Sequence, residues 1–141
     1  DFRISQVMLP LGSSAPDTYL GQAFSTVQQQ VDYYVQRYNF DSTGSEAIAA
    51  GYEYDGDNSR VVFHYRNKLR KKPTVTMSAA GTFHVYTTAA HGTCTGISAA
   101  AHGHDTLAID PQVTSGGLTV GPVFLQRDSS DTCFIMADAR H

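Results

Sequence analysis

From Ala47 onward the chain is cut at short intervals by turn-forming clusters. They are Asp55-Gly56-Asp57-Asn58, Ala80-Gly81, His102-Gly103, Ser115-Gly116-Gly117 and Asp128-Ser129-Ser130-Asp131. Gly supplies left-handed backbone at no steric cost, and Asp and Asn bond their own backbone in turns. The runs between these clusters suit strands better than helices. They read as strands at about 47–54, 60–66, 73–79, 82–88, 94–100, 105–110, 112–120, 121–127 and 132–139. Short strands punctuated in this way predict a mostly β chain, an antiparallel, jelly-roll-like β-sandwich. Only 16% of residues are charged and 41% are hydrophobic, a profile of a turn-rich folded domain and not of a disordered one. At 141 residues the chain is one domain, long enough to bury a core of its own. It has no internal repeat and no low-complexity tract.

The N-terminal part reads differently. Residues 2–9 alternate imperfectly as a strand, and Pro10, Gly12, Ser13, Ser14 and Pro16 break it. Asp17 is placed to cap a helical turn, and Ser25-Thr26-Val27-Gln28 has the form of a capping box. Leu20, Phe24, Val27, Val31, Tyr34 and Tyr38 follow a 4-3-4-3-4 rhythm, which predicts one amphipathic helix ending near Tyr38. Its apolar stripe either lies on the chain's own sheet or packs near a threefold axis; fewer than three heptads do not separate the two. The expected organisation is a closing strand and linker over 1–16, followed by a helix-plus-sandwich module over 17–141. The absence of an initiator Met, and a start within strand-like sequence, suggest a fragment of a longer protein.

The net charge of −3 gives no whole-chain argument for nucleic acid. No apolar run approaches the roughly 20 residues of a membrane-spanning helix, so membrane insertion is not expected. Cys94 and Cys133 have no metal-ligand spacing and lie in no nucleophile motif. Gly-x-Ser-x-Gly, a P-loop and a dinucleotide fingerprint are all missing from the sequence. Most carboxylates fall in turns, where a close pair carries no weight as evidence of glycoside hydrolysis. No catalytic residue and no cofactor is expected, although a small glycan-degrading enzyme stays open as a third class of function.

Three constellations are candidates for binding. Tyr52, Tyr54, Asp55, Asp57 and Asn58 place aromatic faces beside oxygen acceptors, the mixture that sugar recognition needs. The same Asp-x-Asp-Asn run also suits calcium or a plain polar turn, and it lacks the loop pattern of an EF-hand. Arg60, Arg66, Lys68, Arg70, Lys71 and Lys72 are six of the ten basic residues. With Arg66, Lys68 and Arg70 on one face of a strand, they form either a patch for anionic glycan or edge-strand charges that prevent aggregation. His102-Gly103-His104 would give six imidazoles about a threefold axis, or else a solvent-exposed turn without metal.

The order of several segments carries a resemblance. These are Phe2-Arg3-Ile4-Ser5-Gln6-Val7-Met8-Leu9-Pro10-Leu11-Gly12, then Val31 to Phe40 with its Gln36-Arg37-Tyr38. Next come Phe63 to Thr76 with Leu69-Arg70-Lys71-Lys72-Pro73-Thr74-Val75-Thr76, and finally Ala137-Asp138-Ala139-Arg140. Together they resemble the C-terminal module of bacteriophage tail fibres and tailspikes. The resemblance implies a β-sandwich in a trimeric virion appendage, joined to upstream fibre domains and recognising host surface polysaccharide or lipopolysaccharide. A trimerisation or attachment domain without ligand, in such an appendage or in a capsid decoration protein, is the alternative. It also implies that Arg70 makes a structural ion pair. Folding in a reducing cytosol would leave Cys94 and Cys133 as buried, unbridged thiols.

Overall fold

The computed structural model describes residues 24–41, 46–88, 90–114, 118–127 and 132–140. The strand and linker expected over 1–16 lie outside the described residues. One helix, α1 (Phe24–Asp32), leads directly into β1 (Val35–Phe40). Then follow β2 (Ala47–Glu53), β3 (Ser59–His64), β4 (Thr74–Met77), β5 (Phe83–Tyr86), β6 (His91–Thr93), β7 (Gly96–His102), β8 (Thr106–Gln112), β9 (Gly121–Arg127) and β10 (Cys133–Asp138). All strand pairs are antiparallel. The described residues are therefore mostly β with one short α-helix, the sandwich-like class that the turn spacing predicts.

Two sheets form, one of three strands in the order β1-β10-β4 and one of seven in the order β6-β5-β9-β2-β3-β8-β7. In the larger sheet β6 and β7 are the two outermost strands, yet only Cys94 and Thr95 join them. Seven flat strands would hold those edges roughly 29 Å apart, whereas three residue steps reach at most about 11 Å. The sheet must therefore curl into a half-barrel. Cys94 N–H donates to the Phe83 carbonyl at 2.9 Å and Thr95 N–H to that of Gln112 at 2.8 Å, so the link is tied to both sides.

Gly51 makes part of this curvature possible. A Cβ there would lie 1.9 Å from the Arg60 carbonyl oxygen and 2.6 Å from the Val61 Cα, so the crossing of β2 and β3 has no room for any side chain. Alternation then fills the concave face with Val61, Phe63, Phe83, Val85, Leu107, Ile109, Val123 and Leu125. Phe40, Cys133, Ile135 and Ala137 of the smaller sheet join the same core, together with Leu69.

Three boundaries depart from the sequence reading. The helix stops at Asp32 and not near Tyr38, because residues 35–40 pair with residues 133–138 of β10. Gln36, Tyr38 and Phe40 turn inward by strand alternation, so the apparent last turn of the helical stripe is a β-strand. The strand expected over 60–66 ends at His64, and Arg66, Lys68 and Arg70 lie in irregular chain, not on one strand face. The two strands expected about Pro111 are a single strand, β8; Pro111 is fully buried within it, and no strand occupies the described residues of 113–120. β6 is an addition that the turn pattern did not signal.

Candidate functional site

The described segments behind the resemblance meet in one place, while Phe2 to Gly12 lies outside the described residues. Asp32 is almost fully buried at the end of α1. Its carboxylate accepts from Gln28 Nε2 at 2.7 Å and Asn67 Nδ2 at 3.1 Å, and pairs with Arg66 Nη1 at 3.3 Å. Gln36, also buried, donates to the carbonyls of Asp32 at 2.8 Å and Asn67 at 2.6 Å. Its Oε1 accepts from Arg66 N–H at 2.9 Å and from the Tyr38 hydroxyl. Burial raises the Tyr38 pKa, partly offset by the bond from the Arg66 backbone and by its charge. Beside this lock, Arg70 N–H donates to the Tyr33 carbonyl at 2.8 Å, and its guanidinium lies 5.7 Å from the Tyr34 ring centroid. The contact found for Arg70 is thus cation–π and not the implied ion pair. Pro73 is buried, Thr74–Met77 pairs with β10, and Ala139 N–H reaches the Tyr34 carbonyl at 2.7 Å. These motif residues are architecture.

The candidate sugar-binding residues divide. Tyr52 on the outer face of β2 and Tyr54 just beyond its end are each about half exposed. Tyr52 is opposite Arg60 on β3 and Pro122 on β9. Arg60 makes a bidentate pair with Asp110, Nε to Oδ1 at 2.8 Å and Nη2 to Oδ2 at 2.7 Å. The paired charges leave a flat polar group beside an exposed phenol. Asp55, by contrast, serves its own turn. Its Oδ1 accepts from Asp57 N–H at 3.0 Å and Asn58 N–H at 2.7 Å, and its Oδ2 from Asn58 Nδ2 at 2.7 Å. The Asn58 amide, then the Asp57 backbone N–H, hold the Asp55 carboxyl below its ordinary range. The Asp57 carbonyl accepts from Val113 N–H at 2.9 Å, which fixes the turn against the chain beyond β8.

Arg66 and Lys68 belong to the far end of β3. Arg60 sits at one end of β3 beside Tyr52 and Arg66 lies beyond the other; the four steps from Arg60 to His64 alone span roughly 13 Å, which sets Arg66 and Lys68 apart from the tyrosines. Arg66 is tied to Asp32, and Lys68 is exposed. His102 and His104 also differ in role. Nδ1 of His102 is buried without a partner, and burial, then the nearby Lys72 charge, lower its pKa. Nδ1 of His104 lies 3.0 Å from the Leu69 carbonyl. Among the described residues no group of three or more His, Cys, Asp or Glu is arranged to hold a metal.

Sequence reading missed the neighbours of Tyr52. One outward row of cross-strand partners crosses the large sheet: His91, Tyr86, Phe124, Ala50, Val62, Ala108 and Ala101. Tyr86 and His91 stack with centroids 5.0 Å apart, and His84 lies 6.0 Å from Tyr86. Phe124 and Val62 are exposed, and the small Ala50 lies between them. The outward phase of His84 and Tyr86 was readable as a period of two. Their meeting with Phe124 was not, because β5 and β9 lie far apart in the chain. Compared with known proteins, this chain matches no family model, no curated protein and no solved structure.

Proposed function

We propose that this chain is a non-enzymatic, receptor-binding module of a trimeric phage tail fibre or tailspike, and that it recognises host surface glycan. The observation that carries the reading is the outer face of the large sheet around Tyr52. Exposed aromatic rings there stand beside an Arg60–Asp110 pair whose charges offset each other. A soluble domain gains nothing in stability from exposing Tyr52, Phe124 and Val62 together, and such patches mark interaction surfaces. Rings with fixed polar neighbours and little net charge suit a neutral pyranose, which offers an apolar face and hydroxyls. A glycan array is the test. Binding of a host-type neutral oligosaccharide should fall at least about tenfold in the Tyr52→Ala/Phe124→Ala double variant, as expected for lost stacking surfaces. An unchanged array pattern would overturn the assignment of this face.

Trimerisation has support of its own. Of the predicted stripe, Val27 and Val31 on α1 and Tyr34 just beyond it are 41%, 53% and 41% exposed, while Tyr38 packs against the core. The first three side chains are only partly covered by the chain's own residues, which leaves apolar surface for neighbouring copies. Around the stripe are Gln28, Gln29 and Gln30, and the one helix charge, Asp32, is buried and paired. Three copies of such a helix meet without charge repulsion. Light scattering should give three times the chain mass, and Val31→Glu should lower it to that of a monomer. A wild-type monomer at micromolar concentration would refute the trimer.

A further inference from the structure

The outer face of the small sheet holds a second polar site, on the other sheet from Tyr52. Arg37, Asn39 and Asp41 occupy alternate positions on and just beyond β1, all exposed. With Thr132, Cys133 and Phe134 they line a depression of about 210 Å³. The Arg37 guanidinium is fixed within it. Its Cζ lies 4.4 Å from the centroid of the Phe134 ring, and its Nε donates to Asn39 Oδ1 at 2.9 Å. Among the described residues Arg37 has no carboxylate partner, unlike Arg60, Arg66 and Arg140.

We propose that Arg37, Asn39, Asp41 and Thr132 form a subsite for a sugar that carries a carboxylate, such as a hexuronic acid. The inference rests on the glycan reading and names a ligand class at a new place. With Nε committed to Asn39 and Cζ seated over the Phe134 ring, the two terminal nitrogens keep the fork that fits a carboxylate. Holding the fork in advance removes part of the ordering cost of binding. Asp41 and Thr132 offer an acceptor and a hydroxyl for ring hydroxyls. The negative charge of Asp41 in the same depression opposes a dianion such as phosphate and tolerates a single carboxylate.

Calorimetry with a uronate-containing oligosaccharide, its carboxyl-reduced form and inorganic phosphate tests the proposal. The uronate should bind more tightly than the reduced sugar. Arg37→Ala should weaken it roughly tenfold or more, the effect of losing a charge-assisted fork. Arg37→Lys should lose most of that affinity as well, since a point charge replaces the fork. Arg37→Ala should leave the reduced sugar unaffected, which separates a lost contact from a misfolded variant. Equal affinity for both sugars, full uronate affinity in Arg37→Ala, or phosphate bound as tightly as the uronate would each overturn it. If neutral sugars bind at the Tyr52 face while the uronate ignores Arg37, this inference falls alone. If no saccharide binds at all, the glycan reading falls with it.

Discussion

The lock at the end of α1 and the outer face around Tyr52 are built from the same kinds of side chain and are used in opposite ways. Each combines tyrosine, arginine and a carboxylate. In the lock, Asp32 and Gln36 are buried, and their bonds join α1, β1 and the chain after β3. At the outer face Tyr52 is exposed, and the Arg60–Asp110 pair joins two neighbouring strands that are already hydrogen-bonded. A buried polar group that loses its partner costs the full desolvation of what remains, while an exposed one is rescued by water. The lock should therefore respond in stability, and the outer face in binding.

The largest effect should come from Gly51→Ala, beneath the outer face. Its new methyl would collide with backbone and not with a side chain that can move. Overpacking of this kind costs about 3 kcal/mol or more, read as a lower denaturation midpoint. A neutral result would mean that β2 and β3 do not cross as closely as described. Next is Asp32→Ala, which strands Gln28, Arg66 and Asn67; a loss of about 2–3 kcal/mol is expected in urea unfolding. A change as small as that of an ordinary surface variant would erase the contrast between the two regions.

The interior also predicts a pH response. Burial pushes the Cys94 thiol and the Tyr65 phenol each up to about 12, and Tyr65 Oη has no partner. Both would ionise more readily in the unfolded chain, so folded and unfolded states differ in bound protons. Their contribution is fully present below about pH 9 and is lost as pH rises toward 12. Thermal unfolding should shift downward across that range, and Tyr65→Phe should flatten part of the slope. Cys94 and Cys133 are buried and unbridged, so both should react slowly with thiol reagents in the native state. The smallest stability change belongs to Tyr52→Ala and Phe124→Ala, within about 0.5 kcal/mol each. A large loss there would recast the outer face as a structural element.

The sequence by itself determined the β class, because turn residues act locally: the Asp55 turn forms from bonds that span three residues at most. It also left the phase of β5 legible, since alternation needs no partner, although β1 read as helix and β6 gave no signal. It did not determine where α1 ends. Val31, Tyr34 and Tyr38 fit a helical rhythm, and only pairing with β10, nearly a hundred residues later, turns Tyr38 into a strand residue. It likewise separated Arg37-x-Asn39-x-Asp41 from Phe134, and Tyr52 from Phe124 and Asp110. Tertiary structure brought these together, because a β-sheet joins residues by pairing across the chain and sequence distance leaves no mark of it. The basic run from Arg60 to Lys72 shows the converse. Adjacent in sequence, it was divided by the fold between the outer face, the lock and the Tyr34 ring, according to which carboxylate or ring each side chain could reach.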